Sequence, residues 1–471
     1  MSERVIINPV TRISGFMEIE VTLDNHRVTD AKVKGLMFRG FEQMLKGRNP
    51  FDAVYYTERI CGICSTAHSL ASTLALEQAL SIIPSEQGRF LRDFMHGCEF
   101  LQNHLRHFYQ FVVPDYVRLP DQQCAIFETD SADLRLPKEK NDLIVQHYFD
   151  SLDFSREAHE MIAVFGGKAP HNHGVFLGGA TTWATADKIV QLKNILYDTA
   201  RFIEEVTIPD VGIIAQYYPE YYRMGGGRGN FLSYGCFDNY PSLGTLYLDP
   251  AIKTGDMIRA LDPSRITEDI DFSWYTGELT QYTPMEMVPV DDMDKPGAYS
   301  FIKSSQIDNM HFEVGPLARQ WLSGEYRNGI SAMDRVVARI YEAKKITEIL
   351  NTLLDNMELN VSLQREFEIP VSAAGVGMID TTRGALGHWI KIENQLIDFY
   401  QIITPSGWNL SSRSNDGKPG TAEQALIGTE IENENYPVEL MRIIRSFDPC
   451  VSCATHVYYP DREPKYFVIV P

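Results

Sequence analysis

Two Cys-x-x-Cys pairs stand near opposite ends of the chain, Cys61/Cys64 in RICGICSTAH and Cys450/Cys453 in DPCVSCATH. Thiolates are soft ligands suited to zinc, iron–sulfur centres, nickel and copper, and two such pairs supply four of them to one centre. A structural zinc tetrahedron is the plainest reading. Zinc ribbons, however, bring their pairs together within roughly tens of residues, whereas these pairs are separated by most of the chain. A site that ties both ends of a large body together reads as the functional centre. His68 follows Cys64 by four residues and His456 follows Cys453 by three. Each is placed to ligate a metal or, the commoner role, to hydrogen-bond a thiolate.

Composition narrows what surrounds such a centre. The 471 residues are 44% hydrophobic, enough for a large buried core, and carry a formal charge of -20. That balance offers no basic patch for nucleic acid or anionic lipid, and the expected partners are neutral, basic or small. No apolar run is long enough to span a bilayer, so no transmembrane segment is expected, and the amino terminus MSERVIINPVTRISG lacks the layout of a secretion signal. Seven cysteines in this length do not make a disulfide framework. Cys98, Cys124 and Cys236 read as structural, and Cys98 falls on an apolar stripe with Leu91, Phe94, Leu101, Leu105 and Phe108.

The elements that must position the cysteines are mostly helical. Apolar residues three and four apart predict helices over Thr66–Leu80, Gln87–Phe111, Asn141–Phe165, Thr185–Ile208 and Met333–Leu354. MEIEVTL, from Met17 to Leu23, alternates and turns through DNH into RVTDAKVKG, which predicts a hairpin. Turn-rich sequence from about Gly225 to Phe312 predicts an irregular β segment. The run Gly225–Gly227 is a flexible turn, since no Gly-Lys-Ser/Thr ending follows to make a phosphate loop. The fold class is α+β and predominantly helical, a long-helix core with an N-terminal β hairpin. Without repeats or linkers, residues 1–456 are expected to form one intertwined body.

RICGICSTAH and DPCVSCATH resemble the first and last signatures of the large subunit of nickel–iron hydrogenases. Between them, in the family's order, stand FRGFEQMLKGRNPFDA, EVGPLAR (Glu313–Arg319), TTRGALGHW (Thr381–Trp389) and TPSGWN (Thr404–Asn409). The resemblance covers nearly the whole chain and implies that family's large-subunit fold. It implies a nickel held by four thiolates and an iron sharing two of them, the iron also carrying carbon monoxide and two cyanides. Cys61 and Cys450 match the terminal nickel ligands, Cys64 and Cys453 the bridging ones. Arg383 and Ser406 match donors to the cyanides, with Leu386 and Pro405 nearby, and His68 stands beside the first pair. Glu42 and His456, with the backbone carbonyl of Ile402, match a magnesium site that retains several waters.

The implied activity is reversible heterolytic cleavage of H2. This needs a Lewis acid for the hydride and a base for the proton; by family analogy the Cys450 thiolate is the base and Arg383 a competitor that resists deprotonation. Electrons must leave through a partner small subunit with iron–sulfur clusters, because this chain has no further cysteine cluster. One departure concerns proton transfer: the family's Asp-Pro-Val-Thr-Arg-Ile-Glu-Gly-His opening is here NPVTRISGF, with Asn8, Ser14 and Phe16 at the altered positions. Serine does not ionise near neutral pH; Glu58 and His68 are the substitutes within reach. The tail VYYPDREPKYFVIVP, residues 457–471, resembles the extension a specific endopeptidase removes after nickel-insertion factors load the metal. Alternatives are a slow hydrogen-sensing hydrogenase, a zinc-stabilised assembly subunit, and a relative of the quinone-side subunit of respiratory complex I. That last group has lost the nickel ligands, all four of which are present here. Localisation stays open between the cytoplasm and export together with a signal-bearing small subunit.

Overall fold

The computed structural model describes residues 3–120, 133–363, 366–434 and 436–451. The predicted hairpin, Met17–Asp24 and Arg27–Gly35, forms two strands of a three-stranded antiparallel sheet that Glu3–Ile7 completes. Its inward residues, Met17, Ile19, Val21, Ala31 and Val33, alternate with polar ones and pack beneath the Val438–Ser446 helix through Leu440, Ile443 and Ile444.

The helical core is built from Ser65–Ala79, Glu86–Arg106, Lys138–Gly166, Ala186–Phe202 and Ala332–Asn356. Ser85 caps the second by accepting from the Gly88 amide, and Ser331 with Asp334 forms a capping box for the last. Two of the predicted helices do not continue as regular α-helix to their expected ends. Wider π-helical turns occupy His107–Val112 and Ile203–Thr207, and they meet: Tyr109 Oη donates to Asp210 at 2.8 Å and lies 3.4 Å from Thr207 Oγ1. Beyond the second turn a further helix runs from Ile208 to Tyr217. Cys98 is a buried core thiol on the expected stripe.

Short strands of two to four residues occupy Phe231 to Ile307, as the turn-rich sequence predicts. A second three-stranded antiparallel sheet, Ser372–Thr381, Gly384–Glu393 and Leu396–Ile403, has no counterpart in the sequence reading. The Ser65–Ala79 helix lies on it at unusually close range. A Cβ at Gly375 would stand 2.0 Å from the Ala75 carbonyl oxygen, and one at Gly377 would stand 1.9 Å from that of Ala71. Two glycines facing two alanines bring helix and sheet backbones together, and this contact holds the first cysteine pair against the sheet hairpin that carries Arg383. No helix among the described residues is long and apolar enough to cross a membrane.

Candidate metal centre

Cys61 follows a single 3-10 turn, Glu58–Ile60, and Cys64 immediately precedes the Ser65–Ala79 helix. Cys450 arrives from the far end of the chain. The segment bearing it is zipped to the N-terminal arm, Ser14 donating its amide to the Pro449 carbonyl at 3.1 Å and accepting from the Val451 amide at 2.7 Å. The three sulfurs lie within 4.8 Å of one another and all three residues are buried. Cys61 and Cys450 Sγ are 3.2 Å apart, well beyond the ~2.05 Å of a disulfide. Four thiolates at about 2.3 Å from a common ion stand roughly 3.8 Å from each other, so the spacing fits thiolate ligation of a soft metal. Cys453, His456 and the 457–471 tail lie outside the described residues.

Arg383 sits at the tip of the two-residue turn Thr382–Arg383 that joins the first two strands of the second sheet, Thr381 pairing with Gly384. The EVGPLAR motif holds this turn from below. Gly315 lies so close that a Cβ there would meet the Arg383 carbonyl at 2.7 Å, and Arg319, wholly buried, donates to the Thr381 carbonyl at 2.8 Å and to Asp380 at 3.1 Å. The Arg383 guanidinium then donates to the Asp448 carbonyl at 2.9 Å, to Asp448 Oδ1 at 3.0 Å and to Asn103 Oδ1 at 2.8 Å. Among the described residues, its Nη1 makes only a 3.4 Å contact, with Thr382 Oγ1. Burial alone would lower the arginine's pKa, yet Asp448 first, and then the Cys450, Cys64 and Cys61 sulfurs, hold it well above its ordinary value. Arg383 is a fixed cation beside the cysteines, and this weighs against it as the base. Asp448 and Asn103, which aim it, were not singled out in the sequence. Asp448 lies only two residues before Cys450, while Asn103 is hidden on a helix buried on every side.

The other expected site residues fall nearby with differing contacts. Leu386, fully buried, packs in the same apolar cluster as Cys61, Cys64 and Cys450. Pro405 begins the short Pro405–Asn409 helix, and the Ser406 hydroxyl donates to the Cys450 carbonyl at 2.8 Å, so it braces the cysteine backbone. His68 Nδ1 lies 3.2 Å from His388 Nε2, whose ring partners Tyr400 Oη at 2.8 Å; Tyr400 in turn donates to Ser72 at 3.0 Å. Burial pushes the His68 imidazole down to about 4, against the pull of Cys450. It is therefore neutral at working pH.

Glu42, Glu268, Lys303, Gln401, Ile402 and Ser406 line a cavity of ≈ 70 Å³. Burial raises the Glu42 carboxyl above its ordinary value, and Glu268 adds repulsion while Lys303 opposes it. Lys303 is paired with Glu268, which also accepts from Gln401 at 2.8 Å; Gln401 Oε1 has no partner among the described residues. An oxygen-rich pocket with two carboxylates and an unmatched amide oxygen fits a hard cation.

The sequence profile of the nickel-dependent hydrogenases matches residues 39–130, 118–330 and 323–456. The chain belongs to this family. The periplasmic [NiFeSe] hydrogenase large subunit of Desulfomicrobium baculatum is 32% identical across 99% of this chain and 97% of its own length. The hydrogenase-1 large chain of Escherichia coli is 29% identical across 97% of this chain and 96% of its own. The fold likewise superimposes on the solved Ni-Fe-Se hydrogenase of Desulfovibrio vulgaris Hildenborough at a TM-score of 0.93, with 35% identity over 97% of this chain and all of that one. The large-subunit fold expected of a hydrogenase is thus the one observed. Although two of these relatives are named for selenium, this hydrogenase chain has cysteine at 61, 64, 450 and 453.

Proposed function

We propose that this chain is the catalytic large subunit of a hydrogenase that interconverts H2 with protons and electrons, and that it passes the electrons to a separate iron–sulfur small subunit. The observation that carries the reading is the convergence of Cys61, Cys64 and Cys450, from opposite ends of the chain, beneath a guanidinium fixed by Asp448 and Asn103. When bound, a nickel–iron pair supplies the Lewis acidity and redox chemistry that polarise H2 and accept its electrons. Cys61, Cys64 and Cys450 would hold it, with Cys453 as the fourth ligand. Leu386 provides an apolar wall suited to carbon monoxide, and Arg383 Nη1, the least committed of its nitrogens, is the donor for a cyanide. Since Arg383 stays charged, the proton of H2 goes to a thiolate, and Cys450 Sγ is the residue assigned that role.

Magnesium at the Glu42 pocket, with the Ile402 carbonyl, His456 and waters as further ligands, is part of the same reading. So is removal of residues 457–471 by a maturation endopeptidase after nickel insertion. The purified complex with its small subunit should reduce an artificial electron acceptor under H2, and Cys450→Ala should abolish this. A wild-type complex loaded with zinc and inert to H2 would defeat the proposal. Intact-mass analysis should find the active chain ending at His456; a full-length active chain would defeat the maturation step alone.

A further inference from the structure

Two buried carboxylates beside the first cysteine pair have no part in the ligation described above. Glu58 stands three residues before Cys61 with its side chain 1% exposed. Its Oε1 has no hydrogen-bond partner among the described residues, and Arg59 Nη1 approaches its Oε2 at 3.3 Å. Glu99, on the Glu86–Arg106 helix, reaches across to the start of the Ser65–Ala79 helix and accepts from the amides of Thr66 at 2.7 Å and Ala67 at 3.1 Å. Asn103, one turn further along the same helix, is the residue that holds Arg383. Glu99 is therefore anchored two residues past Cys64 on the face that looks onto the centre.

Hydroxyls stand beside both acids, that of Thr66 near Glu99 and, one helical turn on, that of Ser69 near Glu58, the Ser69 hydroxyl itself donating to the Thr66 carbonyl at 3.0 Å. On the outer side the path reaches solvent: the Arg59 side chain is 48% exposed, and Lys168 is exposed. Burial pushes Glu99 up to about 7, against Thr66, Ala67 and Arg383, and pushes Glu58 up to about 8, against Arg59, Ser69 and Lys168, with Glu99 adding repulsion. The His171 ring lies beside the Glu58 backbone, and Tyr55 lies within range of the Glu58 charge. A carboxyl raised towards neutrality by burial is suited to relaying protons.

Neither alternative route has these properties. The His68–His388–Tyr400–Ser72 chain runs between buried groups and, among the described residues, ends at Ser72, which is fully buried. Ser14 is joined to the Cys450 segment through its backbone and supplies no carboxylate to hold a proton between transfers.

We propose that Glu99 and Glu58 are the proton exit of the centre. A proton leaving the cysteine thiol passes to the Glu99 carboxylate, from protonated Glu99 to Glu58 past the start of the Ser65–Ala79 helix, and from Glu58 to solvent beside Arg59. Each acid gains and then releases one proton, and no electron travels this route.

The inference rests on the hydrogenase reading, so its test separates the two. In the purified complex, Glu58→Gln should keep wild-type nickel content and wild-type infrared bands of any metal-bound diatomics. It should lower the H2/D2O exchange rate by about 100-fold or more, while Glu58→Asp recovers part of the loss. Independently of turnover, the infrared carbonyl stretch of protonated carboxyls in the wild type should contain a component that titrates near pH 8, absent in Glu58→Gln. Because Glu99 also caps a helix, Glu58 carries the decision. Exchange within twofold of wild type in Glu58→Gln, or a carboxyl signal unchanged by that substitution, overturns the relay. A wild-type complex without nickel overturns the hydrogenase reading instead.

Discussion

Substituting Gly377 by alanine should damage the centre from outside it, and the size of the effect follows from one close approach. The new Cβ would stand 1.9 Å from the Ala71 carbonyl oxygen and 2.5 Å from the Ala75 nitrogen, both backbone atoms of the Ser65–Ala79 helix. Ordinary contact needs about 3.5 Å, so helix and sheet must separate by roughly 1.5 Å. The helix carries Cys64 at its amino end and His68 on its first turn, while the sheet carries Arg383. Overpacking of this kind costs about 1–3 kcal/mol. With an unfolding entropy near 2.1 cal/mol/K per residue, a 471-residue chain loses only about 3 °C in thermal midpoint for the upper figure. Nickel content per complex, measured beside the scan, is accordingly the sharper readout, because it reports the displacement of Cys64 directly. Gly212→Ala is the internal control: it lies in the Ile208–Tyr217 helix with nothing within 4 Å of its added Cβ. That variant should gain roughly 0.5–1 kcal/mol and keep its nickel. Wild-type nickel content and midpoint in Gly377→Ala would refute the claim that this interface sets the cysteine geometry.

Other perturbations test separate contacts. Arg319→Met leaves the fully buried Glu342 and Asp380 without their cation and should destabilise by about 3–5 kcal/mol, read as a lowered thermal midpoint together with loss of nickel as the Arg383 turn loosens. Asp448→Asn removes the charge facing both Arg383 and Arg339; it should weaken metal retention while leaving the exposed Lys418–Asp416 pair as a control whose loss costs at most about 1 kcal/mol. Burial raises Glu423 to about 7, above its unfolded value near 4.5, so its contribution to stability is complete below pH 4.5 and is lost as pH rises through 7. The thermal midpoint should therefore fall over that window, and Glu423→Gln should flatten the fall. Chelation at the Glu42 pocket should lower the midpoint without removing nickel, and added magnesium should restore it.

The cysteine pairs and the helical core were legible because their signals are local, ligand types at fixed spacing and apolar stripes of period 3.6, whereas Arg383 was legible only through the resemblance carried by TTRGALGHW. The second sheet was not, although it carries Arg383 and Ile402. Gly375 and Gly377 weaken the strand signal in VSAAGVGMID, and their small size is what the approach of the Ser65–Ala79 helix demands. Glu99 and Asn103 were missed for a related reason. Their helix is buried on nearly every face, so polar residues aimed at the centre are interleaved with core residues and give no separate periodicity. Asp448 stands in a motif that was read for its cysteines, and its role depends on Arg383 arriving from 65 residues away.

The central claim is that the two ends of the chain close around nickel and iron. Elemental analysis combined with infrared spectroscopy of the purified complex tests it most directly. Nickel bound to the complex, with bands for metal-bound carbon monoxide and cyanide that vanish in Cys450→Ala, is the predicted result. Zinc in place of nickel, with no such bands, would contradict it.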